Sequence, residues 1–359
     1  MDRILNVGLI GFGMAGQAFH APIITAVPGL RLKTVVERKT SKSKEDYPWV
    51  EVVHDVEDVF TDDSIDLIVV ATPNETHFNY VRQALEQGKH VVVEKPFSVT
   101  SQEAAALIRL ARSKKRILSV YQNRRWDGDF LTVRQVIEQG ILGRLTEYEA
   151  HFDKYLETLR PNTWKEKPLP GSGIVYDLGS HLLDQAQMLF GIPLSVTADI
   201  RSHREGTEIE DYFEIQLGYQ NSLKVTLKAS MLVREPGPHF LLHGTKGSFL
   251  KYGIDPQEAA LRGGRRPGED SNWGAEPESL WGKLNTEISG THFVGKLETK
   301  LGDYRAYYRN VYEAITGKSN LQVKPEQAWI TIRLIELAYK SQAEGKTIVF
   351  GEGTFQLPE

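Results

Sequence analysis

The stretch I-L-N-V-G-L-I-G-F-G-M-A-G at residues 4–16 decides the fold class. Its apolar first half is typical of a buried strand. Gly11, Gly13 and Gly16 follow as G-x-G-x-x-G. After a strand, this pattern suits a chain that turns sharply, lets a pyrophosphate approach the backbone and packs the next helix on the sheet. It therefore predicts a dinucleotide site, the alternative being a glycine-rich turn without a ligand.

The first third of the chain alternates short β-branched runs with segments of helical period. This alternation is typical of βαβ units and predicts a doubly wound parallel sheet of the Rossmann type. One helix is predicted over residues 75–87, and another begins at the capping box of Thr100 and Glu103. The predicted strands cover residues 4–10, 32–36, 65–71, 90–93 and 117–121.

The regular alternation of short strands and helices ends after Arg124. We therefore predict one domain over residues 1–124 and a second over residues 125–359. The second domain reads as α/β with an open, largely antiparallel sheet. Residues 255–302 lack a regular pattern, which indicates a lid, a subunit-contact loop or a solvated insertion. Predicted helices cover residues 131–139, 175–190, 303–316 and 325–344, and predicted strands cover 145–152, 212–217, 223–230 and 240–242.

Composition excludes several classes of function. The 359 residues carry 43 basic and 47 acidic side chains, a formal net charge of −4, which lacks the basic excess typical of nucleic-acid or membrane-surface binding. The absence of cysteine excludes disulfides and thiolate metal sites and suits a reducing compartment. No metal site is predicted, because His181 and Asp184 are too sparse a set. With no apolar run long enough to span a bilayer and no leader pattern, a cytoplasmic location is predicted.

The end of the second strand gives two signals about the coenzyme. Glu37 could accept hydrogen bonds from the ribose hydroxyls of NAD, whereas Arg38, Lys39, Ser41 and Lys42 could hold the 2′-phosphate of NADP. We favour NADP, with NAD as the alternative. The predicted coenzyme-binding residues are Gly11, Phe12, Gly13, Met14, Gly16, Glu37, Arg38, Thr72, Pro73, Asn74, His77, Glu94, Lys95 and Asn123.

Three residues are candidates for chemistry. Lys95 follows three valines at a strand end, where its ammonium could orient a hydroxyl and stabilise a developing alkoxide, the alternative being a surface ion pair. Asp177 and His181 lie one helical turn apart, so a base and the group that orients it could share one face. The alternative for this pair is a helix cap followed by a surface histidine.

Four motifs, in this order and spacing, resemble the Gfo/Idh/MocA oxidoreductases over nearly the whole chain. They are G-F-G-x-x-G at Gly11–Gly16, A-T-P-N-x-x-H at Ala71–His77, E-K-P at Glu94–Pro96 and D-x-G-x-H at Asp177–His181. The resemblance implies a Rossmann domain followed by an α/β domain whose sheet mediates dimer or tetramer contacts. It also implies that Lys95 is the catalytic lysine and that Asp177 and His181 bind substrate and transfer a proton.

Three further stretches are similar to one branch of that family, which includes NADP-dependent scyllo-inositol dehydrogenases. They lie at Gln122–Asp127, Val36–Thr40 and Lys251–Glu258. The branch implies reversible oxidation of scyllo-inositol to 2-keto-myo-inositol, with the hydride passing to NADP. Other sugar or inositol dehydrogenases of the family, and a non-catalytic regulator that senses the coenzyme, are the alternatives.

The expected substrate is a small polyol bound by hydroxyl-binding groups and flat apolar faces. Aromatic members of this lining could instead serve packing. The predicted substrate-binding residues are Lys95, Arg124, Trp126, Asp153, Tyr155, Trp164, Asp177 and His181.

Overall fold

The computed structural model describes residues 3–160, 166–351 and 353–357. Within these ranges the N-terminal part forms a parallel sheet of six strands in the order β3-β2-β1-β4-β5-β6. This is the Rossmann strand order, and the predicted class is confirmed. The strands are β1 (Leu5–Ile10), β2 (Leu30–Val36), β3 (Glu51–Val53), β4 (Leu67–Val70), β5 (His90–Val93) and β6 (Leu118–Val120).

Short helices connect these strands and cover both faces of the sheet. A π-helical turn, Gly16–His20, leads into α1 (Ala21–Thr25), and a 3-10 turn, Asn74–Thr76, leads into α4 (His77–Glu86). The capping box of Thr100 and Glu103 begins the last helix of this set, as predicted. The remaining helices are α2 (Ser43–Asp46), α3 (Glu57–Thr61) and α5 (Ser101–Lys114).

The second domain contains a mixed, largely antiparallel sheet, which confirms the predicted class. In the described residues its order is β14-β13-β12-β11-β7-β10-β9-β8-β15, and β7 pairs with β10 in parallel. The strands are β7 (Leu145–Asp153), β8 (Ser195–Arg201), β9 (Tyr212–Gly218), β10 (Lys224–Ser230), β11 (Phe240–Gly244), β12 (Gly247–Lys251), β13 (Gly282–Ile288), β14 (Thr291–Leu297) and β15 (Ile348–Val349).

Helices α7 (Ser180–Phe190) and α10 (Pro325–Glu344) contact this sheet at β10 and β8, whereas α8 (Gln257–Arg262) and α9 (Arg305–Ile315) contact the π-helical turn and α1 of the first domain. A π-helical turn, Val175–Gly179, leads into α7, and a 3-10 turn, Asn123–Trp126, precedes α6. The last helix, α10, contacts both α5 of the first domain and β8 of the second. The helices are α6 (Gly128–Glu138), α7 (Ser180–Phe190), α8 (Gln257–Arg262), α9 (Arg305–Ile315) and α10 (Pro325–Glu344).

The prediction that residues 255–302 lack regular structure is wrong. They contain α8 and the hairpin of β13 and β14, which extends one edge of the second sheet. The edge strand β14 is exposed over most of its length, including Phe293 and Val294. Because neither face of that strand packs on a core, its sequence lacks the apolar and polar alternation of a half-buried strand.

Candidate active site

The glycine turn leaves one open approach to the backbone. Gly11 has φ +98°, and a Cβ there would come within 2.6 Å of the Ala71 carbonyl oxygen. A Cβ on Gly16 would come within 2.1 Å of the Gly11 carbonyl oxygen, so this residue packs the helix against the turn. A Cβ on Gly13 would meet nothing within 4 Å. The turn therefore offers its exposed backbone at Gly13 to a ligand, which fits a dinucleotide pyrophosphate at the start of the helix.

The neighbours of Gly13 frame this approach. Phe12 is half-buried and meets Tyr47 edge-on at 6.4 Å between ring centroids. Met14 is exposed. Both predicted residues thus lie beside the open turn.

Glu37 is turned into its own loop. Its Oε2 accepts hydrogen bonds from Thr40 Oγ1 at 2.5 Å and from Lys42 N at 2.9 Å, and its Oε1 accepts one from Ser43 N at 2.8 Å. Burial opposes ionisation, but these hydrogen bonds hold the pKa of Glu37 below its ordinary value. The carboxylate therefore stays charged and engaged, while the neighbouring Arg38 is exposed.

The turn after β4 is fixed from behind by a buried histidine. His77 Nδ1 lies 2.9 Å from the Pro96 carbonyl oxygen, and Nε2 lies 3.0 Å from the Thr72 carbonyl oxygen. Burial lowers its pKa. The ring thus positions the ends of β4 and β5 and does not reach the open side, where Pro73 is exposed. Asn74 Nδ2 donates to the Gly171 carbonyl oxygen at 2.7 Å and so ties this turn to the second domain.

Glu94 is held by a buried chain of hydrogen bonds that sequence reasoning missed. Its Oε1 lies 2.9 Å from His20 Nε2, and His20 Nδ1 lies 2.6 Å from the Tyr308 hydroxyl. Its Oε2 accepts a hydrogen bond from Lys95 N at 3.0 Å. Burial opposes the charge, but the hydrogen bond with His20 keeps the pKa of Glu94 below its ordinary value. Glu94 therefore positions the backbone that carries Lys95.

Lys95 reaches across to the second domain. Its Nζ donates to Asp177 Oδ1 and to the Asp177 carbonyl oxygen, both at 2.8 Å. The lysine side chain is 17% exposed and the aspartate side chain 37% exposed, so the pair lies in a partly open cleft. The alternative of a surface ion pair does not fit, because this contact joins the ends of elements from the two domains.

His181 lies at the bottom of the same cleft. It is 5% exposed, and its Nδ1 is buried without a hydrogen-bond partner among the described residues. Burial lowers its pKa well below the ordinary value of 6.5, and the nearby cations Lys95 and Arg124 add to the effect. The imidazole is therefore neutral at pH 7 and able to accept a proton.

Asp177 was expected to pair with His181, but in the structure its carboxylate pairs with Lys95. The described hydrogen bonds of the carboxylate run to Lys95, and Asp177 acts on the imidazole only by its charge, which opposes the lowered pKa. The aspartate thus orients the lysine. Spacing along one helix could not show this contact, because its partner lies 82 residues away.

Arg124 is buried at the other side of His181. Its Nη1 donates to Asp127 Oδ2 at 3.1 Å, and its Nη2 pairs with Glu258 of α8. Its guanidinium lies 5.0 Å from the centroid of the Phe152 ring, which also contacts His181. The arginine is therefore locked in place from three directions.

Two other predicted residues of the 3-10 turn Asn123–Trp126 are less accessible to a ligand in the cleft. Asn123 is buried at its start, and Trp126 is half-buried with its ring edge-on to Tyr307 at 5.7 Å. The predicted residue Trp164 lies outside the described residues.

Asp153 lies on the opposite face of the second sheet from Phe152, and alternation along the extended chain turns Tyr155 the same way, so neither fits the predicted lining of the cleft. Asp153 Oδ2 lies 3.4 Å from Nδ1 of His151, two residues back on the same outer face. The ring of Tyr155 is exposed and stacks under the guanidinium of Arg234 at 4.0 Å. Successive residues of a strand point to opposite faces, so Lys154 takes the inner side between them.

Lys154 and Glu258 are site residues that the sequence prediction did not include. The charges that act on the Lys154 ammonium are those of Asp177, Glu258, Arg124 and Lys95. Strand alternation could have found Lys154, because Phe152 points inward two residues earlier. Glu258 offered no periodic signal, since its helix lies in the segment predicted to be irregular, although it ends the Lys251–Glu258 stretch that resembles one branch of the family.

A Rossmann domain with an open glycine turn, joined to a cleft that holds a lysine, an aspartate and a neutral histidine, defines a nicotinamide-dependent oxidoreductase. Residues 5–122 match the NAD-binding Rossmann-fold domain of the Gfo/Idh/MocA oxidoreductase family, and residues 134–350 match its C-terminal alpha/beta domain. The chain belongs to this family, which confirms the resemblance seen in the sequence.

Two curated relatives cover almost the whole chain. The uncharacterized oxidoreductase YdgJ of Escherichia coli is 44% identical over 97% of this chain and 99% of its own length. The NADP-dependent scyllo-inositol 2-dehydrogenase IolW of Bacillus subtilis is 39% identical over 96% of each chain.

Solved structures agree with this assignment. A putative oxidoreductase from Bacteroides fragilis superposes with a TM-score of 0.90 at 46% identity, covering 97% of this chain and 100% of the other. The putative oxidoreductase YvaA of Bacillus subtilis superposes with a TM-score of 0.94 at 38% identity, covering 98% and 99%.

Two general features concern the described part of the chain. None of its helices combines the length and apolar character needed to cross a bilayer. Its histidines and carboxylates do not gather into groups of three that could hold a metal ion.

Proposed function

We propose that the protein oxidises one secondary hydroxyl of a cyclic polyol reversibly, and that its substrate is scyllo-inositol, which becomes 2-keto-myo-inositol. The observation that carries this proposal is the contact of Lys95 with Asp177 beside the neutral His181. The likeness to IolW supports the choice of substrate. The reaction converts a CH–OH group into a ketone by loss of one hydride and one proton.

The side chains divide this work. Lys95, oriented by Asp177, donates a hydrogen bond to the reacting hydroxyl and stabilises the developing alkoxide. His181 accepts the hydroxyl proton during oxidation and returns it during reduction of the ketone. Bound NADP supplies the hydride acceptor of this reaction.

We propose NADP as the preferred coenzyme because of the direction in which Glu37 points. Its carboxylate is bonded to backbone and hydroxyl groups of residues 40–43, so it is not directed at a ribose. The exposed Arg38 and Lys39 beside it offer cations to a 2′-phosphate. This arrangement supports the choice of NADP over NAD between the two conflicting signals of the sequence.

The proposed activity is tested by following absorbance at the NADPH band with purified protein. NAD and NADP are crossed with scyllo-inositol, myo-inositol, glucose and simple glycosides. We expect the highest kcat/KM for scyllo-inositol with NADP. Activity with a different sugar alone would replace the substrate and keep the chemistry, whereas no turnover in either direction with any pair would favour a coenzyme-sensing regulator.

The coenzyme preference is tested with Arg38→Ala. Loss of one charged hydrogen bond to the 2′-phosphate should reduce kcat/KM for NADP by about tenfold while leaving that for NAD within about twofold. Arg309→Ala, on the exposed side of α9, is the matched control. Equal losses of kcat/KM with NADP and NAD would show that Arg38 does not bind the 2′-phosphate.

A further inference from the structure

The end of β7 carries an amino group that the proposed mechanism does not use. Lys154 directly follows the last residue of β7 and is exposed at the rim of the cleft. Its backbone is fixed on both sides, because Lys154 N donates to the Ser230 carbonyl oxygen and the Lys154 carbonyl oxygen accepts from Val233 N, both at 2.9 Å. The position of its Cα is therefore set by the sheet.

Lys154 differs from its charged neighbours in the site. Lys95 is paired with Asp177, and Arg124 is paired with Asp127 and Glu258. By contrast, within residues 3–160, 166–351 and 353–357 the groups that act on the Lys154 ammonium do so by their charge and not by a hydrogen bond. Its three donors are thus available to a molecule in the cleft.

The surroundings of Lys154 favour a neutral, hydroxylated ligand. Asp177 and Glu258 bring negative charge toward this ammonium, and Arg124 and Lys95 bring positive charge. Partial burial of the ammonium lowers the pKa of Lys154, and the positive charges of Arg124 and Lys95 lower it further. A balanced set of donors and acceptors at several angles is suited to a ring bearing several hydroxyls, because each hydroxyl can both donate and accept.

We infer that Lys154 is a substrate-binding residue that selects among polyols by holding a hydroxyl other than the one that Lys95 and His181 hold. The inference rests on the proposed function, because it concerns the same cleft. A ring bound at two separated hydroxyls can present only certain of its carbons to the coenzyme. Lys154 would then decide which stereoisomers react, while Lys95 and His181 decide how fast they react.

The test compares Lys154→Met and Lys154→Arg with the wild type. Lys228→Met is the matched control, because Lys228 lies on the outer side of the same sheet, 5.6 Å above the Tyr212 ring centroid. Steady-state kcat and KM are measured with NADP for scyllo-inositol, myo-inositol and glucose. The dissociation constant for NADP is measured by calorimetry as a check that each variant retains its fold.

We expect Lys154→Met to raise KM for the best polyol by about tenfold, with kcat changed by less than about threefold and the preference among isomers reduced. Lys154→Arg should restore part of the affinity, since it keeps the charge, and Lys228→Met should match the wild type. Unchanged KM and isomer preference in Lys154→Met, with an active wild type, would overturn the inference alone. An inactive wild type with every polyol would overturn the proposed function and the inference with it.

Discussion

The carboxyl edge of the first sheet and the end of β7 supply side chains to one cleft under different geometric rules. In a parallel sheet every strand ends at the same edge, so residues that follow a strand, such as Lys95, come near the ligand. At β7 successive residues alternate between two faces, and Lys154 points inward while Asp153 and Tyr155 point outward. In the first region a residue reaches the cleft because it follows a strand. In the second region a residue must also stand at a position whose side chain points to the face of the sheet that lines the cleft.

The largest effect is expected at Lys95, which tests whether a residue that follows a strand of the parallel sheet takes part in the chemistry. Lys95→Met removes both the ammonium that meets the alkoxide and the contact with Asp177, and we expect kcat to fall by roughly 10³-fold. Turnover is measured with saturating polyol and NADP. The NADP dissociation constant should stay within about threefold of the wild type, and a variant that retains more than a tenth of the activity would remove Lys95 from the chemistry.

The next effect concerns His181, at the base of the cleft between the two regions. Because the pKa of His181 lies well below 6.5, kcat/KM for oxidation should stay level from pH 8 to the ordinary histidine value and fall only at lower pH, where the imidazole becomes protonated. Reduction of the ketone should respond in the opposite sense, since it needs the protonated form.

His181→Asn should lower kcat by about 10²-fold and remove this acid limb. The measurement uses saturating coenzyme, because a 2′-phosphate also titrates near pH 6. An acid limb that persists in His181→Asn would assign the titration to another group.

The smallest effect is expected on the outer side of β7. Asp153→Asn and Tyr155→Phe should each change kcat/KM by less than about twofold, because their side chains lie across the sheet from His181. The assay is the same as for Lys154→Met, so adjacent residues are compared directly. Losses in the Asp153 or Tyr155 variants that equal those of Lys154→Met would contradict the requirement that the side chain point to the face that lines the cleft.

The first domain was predictable because its signals are local. The glycine turn and the strands β1, β2, β4, β5 and β6 follow from short stretches of sequence. Strand β3 was not predicted, because it is short and none of its residues is buried. The hairpin of β13 and β14 was missed because its signals are not local. It is stabilised by pairing with β12 at the sheet edge, and the mostly exposed residues of its outer strand β14 carry no period that marks a strand.

The candidate site was predictable where a residue type and a strand end coincide. Lys95 was identified in this way, and His181 was identified by its helical spacing from Asp177 and by the family motif. The partner of Asp177 was not identified, since the contact joins two domains. The orientation of Glu37 also could not be read from the sequence. It depends on hydrogen bonds with residues 40–43, whose backbone conformation is fixed only in the folded loop.

Helix α10 packs on both domains, and this has a consequence for how the protein loses its structure. Glu336 accepts hydrogen bonds from Ser101 N and Oγ at the start of α5, both at 2.7 Å, while Ser341 Oγ accepts one from Ala198 N of β8 at 3.1 Å. Buried side chains of α10, among them Ile332 and Ile335, belong to a hydrophobic core that reaches both sheets. Detaching the helix would expose apolar surface on each domain at once, so local unfolding of one is coupled energetically to the other. The two domains should therefore melt as one cooperative unit, even though the chain builds them from separate sheets.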